Sequence, residues 1–300
     1  MVVKDLIKEL RQAIGQNALK TAKEDLESYT FDATPDMPTG LPDVVVIPES
    51  TDHVQAIVTL ANKYNVPVYT RGSGTNLSGG TIPLKKGIVM VMLKMNKILE
   101  IDVENLTATS EPGVIIAELN AAVAEHGLMY PPDPGSVDTA TMGGSVAECS
   151  GGLRGLKYGV TKHYVMGLEV VLANGKIMTC GGKTVKNVSG YDMVKLFVGS
   201  EGTLGIITKI ISKLIPAPEA RKTATATFTS IDDAAQNVSG IINSIVIPAT
   251  LEIMDNVTIK TVENFLHLGL PIDAEAILVI EVDGIPEVVE KEMDAVARVC

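Results

Sequence analysis

RGSGTNLSGG, running from Arg71 to Gly80, is the stretch from which the rest of the chain can be read. Four of its ten residues are glycine, and the remainder of its interior is Ser, Thr, Asn and one Leu. Without a Cβ, glycine lets neighbouring backbone N–H groups turn inward together and approach a ligand closely. Short hydroxyl and amide side chains add donors and acceptors at little entropic cost. The preceding NVPVYT is apolar and β-branched, hence strand-like. A strand that delivers a glycine nest is a common way to hold phosphate groups, and the cradle is read here as one for a cofactor's pyrophosphate. The plainer reading of the same residues is a glycine-rich surface turn.

Working outward toward the N-terminus, residues 4–30 read as helical, and Pro35, Pro38, Gly40 and Pro42 mark an irregular passage. Val44–Ile47 reads as a short buried strand. Ser50 or Thr51 can cap a helix whose apolar positions Val54, Ile57, Val58 and Ala61 recur at helical spacing. With a strand at Val66–Thr70, this β–α–β order predicts a small parallel pair joined by a right-handed crossover. On the other side, 87–93, 98–103 and 107–110 read as strands, and Ile115–His126 as a helix closed by Gly127. Ala173-Asn174-Gly175, between the strand-like 165–172 and 176–179, is a hairpin signal. Beyond Pro216 and Pro218 the texture changes to strand 223–228, helix 231–245, strand 251–254, helix 257–266, strand 276–282 and helix 286–299. The expected fold class is therefore α+β, with a first domain over 1–218 and a second over 219–300. The first divides into an N-terminal helix (1–30), a lobe of about 40–105 and a lobe of about 106–218. The last helical pattern has no capping signal before Cys300, which reads as a cut end.

Totals narrow the function. Of 300 residues, 46% are hydrophobic and 20% charged, which is globular and allows a large core. A net charge of −11 argues against a binder of nucleic-acid backbones. Cys149, Cys180 and Cys300 form no spaced pair, so neither a disulfide framework nor a thiolate zinc site is indicated. No signal peptide or apolar run of membrane-spanning length is present, and a cytoplasmic protein is expected. With no Trp, 4 Phe and 7 Tyr, the core must be mostly aliphatic. Twenty-two of the 27 glycines lie between Gly72 and Gly205, which places most special backbone geometry, and the expected ligand, in the middle of the chain.

Three glycine clusters, at 72–80, 143–152 and 199–205, together with PPDPGS at 131–136, suggest loops converging on one elongated ligand. The first cluster does not complete G-x-G-x-x-G, and no helical pattern follows it, which weighs against a Rossmann turn. No G-x-x-x-x-G-K-[ST] is present. The series RGSGTNLSGG, PPDPGS, MGGSVAECSGG, YGVT, GLEVVLANG, NVSGYD, GSEGTLGII resembles the FAD-binding domain of the vanillyl-alcohol oxidase/p-cresol methylhydroxylase flavoproteins. Within them it is most similar to the glycolate oxidase large subunit and FAD-linked D-lactate dehydrogenase group, over roughly residues 40–300.

The resemblance implies a two-lobed FAD-binding domain followed by a ferredoxin-like cap, of which 219–300 is the first part. It implies FAD contacts at Arg71, Gly72, Ser73, Gly74, Thr75, Asn76 and Ser78 around the pyrophosphate. Pro134, Gly135, Ser136, Thr141, Met142, Gly143, Gly144, Ala147, Glu148, Ser150, Gly151, Tyr158 and Gly159 would line the flavin and its ribityl chain. Gly202, Gly205, Ile206 and Ile207 would pack near the adenosine. The implied reaction is oxidation of a D-2-hydroxy acid, D-lactate or glycolate, with hydride passing to flavin N5. Electrons would go on to a partner such as an electron-transfer flavoprotein or an iron–sulfur subunit. A flavin-binding electron-transfer subunit, or a related flavoenzyme with another substrate such as an NADPH-using amino-sugar reductase, are the rivals.

Covalently flavinylated relatives carry a His in the first loop. Thr75 stands at that position here, so non-covalent FAD is expected. The family's metal-binding histidines and substrate arginine belong to the later half of the cap. No metal site or catalytic residue is therefore expected within 1–300, and any divalent metal would be held beyond Cys300. His53, His126 and His267 read as surface or capping residues, and His163 stands nearest the expected flavin. For Arg71 a structural ion pair rivals ligand contact, and for Glu148 a buried carboxylate bonded to backbone amides does. Asp192 reads as a turn residue, Cys149 and Cys180 as small buried hydrophobes, and the Met residues of VMVMLKM as core positions.

Overall fold

Val44–Val46 and Ile88–Val91 are short β-branched runs whose side chains are all buried, so each needs cover on both faces. The computed structural model, which describes residues 2–300, supplies it. Helix α1 (Val2–Ile14) places Leu6, Leu10 and Ile14 on one stripe, and Gly15 ends it at φ +85°. Strand β1 (Leu19–Lys20) and the short α2 (Lys23–Glu27) follow, so the helical reading of 4–30 is corrected to two helices with a strand between. Leu19 pairs with Val46, a long-range partner that overrides local helical preference.

Next come β2 (Val44–Val46), α3 (Thr51–Tyr64), β3 (Val68–Arg71) and β4 (Ile88–Val91). Ser50 caps α3 by accepting from His53 N, as expected. The sheet order is β1-β2-β4-β3. Strands β2 and β3 are parallel, but each pairs with β4 inserted between them, which corrects the expected direct pair. Val44, Val46, Ile88 and Met90 meet Val54, Ile57, Leu6 and Leu10 in one core. Each such fully buried side chain contributes about 1.5–3 kcal/mol. Met92 and Met95 are buried as expected, but the strand reading of 87–93 is corrected: the strand stops at Val91, and Met92–Lys94 form a 3-10 turn that Met95 ends.

A second, antiparallel sheet follows in the order β5-β6-β10-β8-β9. Its members are β5 (Ile98–Asp102), β6 (Thr107–Ser110), β8 (Val165–Leu172), β9 (Ile177–Gly181) and β10 (Gly205–Lys213). Between them lie α4 (Ile116–Ala124), β7 (Leu128–Met129), α5 (Met142–Glu148), α6 (Gly155–Tyr158) and α7 (Met193–Phe197). The Asn-Gly signal is a hairpin, with Gly175 at φ +79° and Lys176 N bonded to Asn174 Oδ1. Strand β11 (Ile215–Pro216) marks the exit from this unit.

By contacts, the chain forms two units. The first comprises 1–130, 136–150 and 160–215; the second comprises 131–135, 151–159 and 216–300. The second is built on β12 (Ala220–Phe228), α8 (Ile231–Asn243), β13 (Thr250–Asp255), α9 (Asn256–Leu266), β14 (Ala276–Gly284) and α10 (Pro286–Val299). Strand β14 lies between β12 and β13 and is antiparallel to both, a split βαβ of the ferredoxin-like type. Leu278, Ile280 and Val282 pack with α8 and α10, while Ile277 packs with Ile259 of α9.

Candidate functional site

Arg71 ends β3 and is buried, but among the described residues its guanidinium makes no ion pair within 4.0 Å. It donates to Phe31 O at 2.9 Å and Ser73 O at 3.4 Å, and lies 5.5 Å over the Tyr29 ring. Burial pulls its pKa down, and the Asp32 charge pushes it back up. The ion-pair expectation is thus replaced by a role in folding the glycine loop around a buried cation. Gly74, at φ +78°, sits against that guanidinium, and a Cβ there would lie 2.0 Å from Arg71 Nη2.

The loop stays open in the way a ligand cradle must. Among the described residues, none of the backbone N–H groups of Ser73 to Leu77 donates to another protein group. Five donors in a row, left unsatisfied by the fold, suit the oxygens of a pyrophosphate without any basic patch.

Within the first unit this loop meets the other clusters. Ser73 Oγ donates to Thr139 O at 2.6 Å, and Ser136 Oγ lies 3.4 Å from Thr75 Oγ1. A Cβ on Gly72 would meet Thr141 Oγ1 at 2.2 Å, so the loop lies directly on the cap of α5. Ser78 Oγ donates to both carboxylate oxygens of Glu148 at 3.2 Å. Gly199 N and Glu201 N donate to Val146 O and Ala147 O, which seats the third glycine loop on the end of α5. Within the first unit, members of all three glycine clusters are therefore neighbours around α5.

The structure also sorts the members of that group. Met142 N, Gly143 N and Gly144 N are committed to Val114 O, Pro112 O and Thr141 Oγ1, leaving the start of α5 no donors to offer. Gly143 is a packing glycine, since its Cβ would stand 2.5 Å from Pro112 Cβ. Ser145, Ser150 and Thr161 hydroxyls bond one another beside this helix, with Thr161 Oγ1 also donating to Ser150 O. Gly205, Ile206 and Ile207 are buried in β10, whereas Gly202 is exposed at φ +73°. Glu148 accepts from the Ser78 hydroxyl rather than from backbone amides; burial, then the neighbouring Glu201 charge, raises its pKa.

The sequence reading missed Asp32. This buried carboxylate accepts from Thr34 N at 2.9 Å, Asn76 Nδ2 at 2.8 Å and Thr81 Oγ1 at 3.0 Å. Burial alone would raise its pKa, but these hydrogen bonds together outweigh burial and lower it.

The second unit holds the remaining expected residues: Pro134, Gly135, Gly151, Tyr158 and Gly159. A Cβ on Gly152 would meet Asp133 O at 2.0 Å, and Arg154 pairs with Asp133 at 3.4 Å, so 131–135 and 151–159 are clamped together. Asp283 of β14, buried, accepts from Lys157 Nζ at 2.5 Å and Tyr158 OH at 2.8 Å. Of the histidines, His163 Nδ1 accepts from Val160 N, His53 opens α3, and His267 ends α9 in the left-handed region. Asp192 caps α7 and pairs with Lys195 at 2.9 Å. Cys149 and Cys180 are only partly buried, more exposed than expected.

Comparison with known proteins matches residues 42–181 to a family described as "FAD binding domain" and residues 217–300 to "FAD linked oxidases, C-terminal domain". The glycolate oxidase subunit GlcD of Bacillus subtilis is 50% identical over all of this chain, which covers 64% of that protein. A D-lactate dehydrogenase of Archaeoglobus fulgidus is 42% identical over 76% of this chain and 52% of its own length. The chain thus spans about half to two-thirds of the length of these relatives. An alkyldihydroxyacetonephosphate synthase structure superposes with a TM-score of 0.83 at 27% identity, over 99% of this chain and 58% of that one. A p-cresol methylhydroxylase structure, at 20% identity and TM-score 0.77 over 99% and 64%, shares the fold. The expected superfamily and its FAD cofactor are borne out. No helix among the described residues is long and apolar enough to cross a membrane.

Proposed function

We propose, since this chain belongs to the FAD-linked oxidases, that it carries the flavin of an enzyme oxidising a D-2-hydroxy acid, D-lactate or glycolate, to the 2-oxo acid. The observation that carries this reading is the row of unspent N–H groups from Ser73 to Leu77, inside the stretch matched to a FAD binding domain. When bound, FAD supplies the two-electron acceptor that the substrate carbon needs.

The chain's own residues bind and orient. Ser73–Leu77 N–H groups take the pyrophosphate, and Arg71 shapes the loop from beneath through Phe31 O and Ser73 O. Thr141 fixes α5 against Gly72, and Ser136, beside Thr75, continues the lining within the first unit. Thr75 has no ring nitrogen with which to form an 8α-histidyl bond, so the FAD is non-covalent. The description of relatives as a "subunit" supports an electron-accepting partner protein, and we place the chain in the cytoplasm.

In an FAD-loaded protein that carries the later half of the cap as well, anaerobic addition of D-lactate or glycolate should bleach the flavin absorbance, while L-lactate should leave it; residues 1–300 alone should bind the flavin without being reduced by either acid. Flavin that stays oxidised in the longer protein with both D-lactate and glycolate, yet bleaches with a reduced partner flavoprotein, would replace this reading by that of an electron-transfer subunit.

A further inference from the structure

The segment Tyr29–Thr34 lies upstream of the matched FAD binding domain, which begins at residue 42. It nevertheless makes a dense set of hydrogen bonds to the glycine loop. Ala33 N donates to Gly74 O at 3.0 Å. Thr34 Oγ1 accepts from Gly79 N at 2.8 Å and donates to Asn76 O at 3.4 Å. Asp32 accepts from Asn76 Nδ2 and Thr81 Oγ1, and Phe31 O accepts from the Arg71 guanidinium. Residues 74, 76, 79 and 81 are thus all tied to one short upstream strap.

A glycine-rich loop with unspent donors has many accessible conformations, and only those with the N–H groups pointing together bind an extended anion. Holding one of them before the ligand arrives lowers the ordering cost of binding. The strap takes up the loop's carbonyls and side chains and spends none of the Ser73–Leu77 N–H groups. That division is what a preformed cradle requires.

We propose that Tyr29–Thr34 is a working part of the FAD site, a splint that sets the pyrophosphate loop in its binding shape, with Asp32 and Thr34 as positioning residues. The proposal rests on the reading of this loop as the FAD cradle. Asp32 touches no ligand; it fixes Asn76 and Thr81, and through them the curve of the loop between Gly74 and Gly79. Thr34 locks the far end at Gly79.

The test uses the deflavinated protein titrated with FAD. Asp32→Ala and Thr34→Val should each raise the FAD Kd at least tenfold, while melting of the apoprotein changes little. Thr34→Ser, which keeps the hydroxyl, should restore affinity to within about threefold of the parent. Three results would overturn the proposal: FAD Kd values within twofold of the parent in both variants, Thr34→Ser as weak as Thr34→Val, or affinity lost only in step with apoprotein stability. Should Asp32→Ala not fold, the two Thr34 variants decide alone. A parent protein that takes up no FAD sinks the underlying function instead, and is distinguished because every variant then behaves alike.

Discussion

Gly74→Ala is the sharpest perturbation of the cradle. A non-glycine residue at φ +78° costs about 1–2 kcal/mol in backbone strain. The added Cβ would stand 2.0 Å from Arg71 Nη2, so the guanidinium must move and give up its 2.9 Å bond to Phe31 O. A charge-assisted hydrogen bond of this kind contributes about 1.5–3 kcal/mol. Together these give about 2.5–5 kcal/mol against the native loop shape. Apoprotein can escape much of this by letting the half-exposed loop rearrange, but the FAD complex cannot. The cost therefore falls on binding, as a loss of roughly 10²-fold to several thousand-fold in affinity. Fluorescence titration of deflavinated Gly74→Ala with FAD, with far-ultraviolet circular dichroism to confirm folding, measures it. Gly135→Ala is the companion: its Cβ meets nothing within 4 Å, so its apoprotein should be as stable as the parent. A folded Gly74→Ala that binds FAD within threefold of the parent would refute the reasoning.

Three further outcomes follow from the same geometry. Glu148, raised by burial and by Glu201, holds its proton more tightly folded than unfolded, so its contribution to stability is lost as pH rises from about 4.5 through the raised folded value. Glu148→Gln should therefore flatten the pH dependence of unfolding and exceed the parent's stability at neutral pH; parallel curves would contradict this. Asp283→Ala leaves Lys157 and Tyr158 without their buried acceptor and should lower stability by about 1–3 kcal/mol in urea unfolding, the lower figures reflecting the partial exposure of Lys157. Acid precipitation should release all flavin into the supernatant, since Thr75 offers no covalent attachment; a yellow pellet would overturn that.

Much of this fold could be read from local signals. The strand at Thr107–Ser110 and the helix at Pro286–Val299 lie where their residues say, the latter because Pro at its first position fits the helical start. Ser50 before an apolar stripe announced α3. What local pattern could not show was pairing at a distance. Leu19 became a strand because Val46 was there to meet it, and β4 entered between β2 and β3 although it follows both in sequence. The glycine clusters were legible as a group but not by role. Nothing in MGGS says that Pro112 and Val114 consume its donors, nor does RGSG say that Arg71 is spent on Phe31 O. Asp32 was invisible for the same reason, its partners Asn76 and Thr81 lying 44 and 49 residues away.

On this reading the loop from Arg71 to Gly80 holds a pyrophosphate on its own backbone. A crystal structure of the protein with FAD tests it directly. Pyrophosphate oxygens should lie at about 3 Å from backbone nitrogens within Ser73–Leu77, with Arg71 still bonded to Phe31 O. A pyrophosphate seated away from this loop, or on the start of α5 in place of its present bonds to Pro112 and Val114, would contradict it.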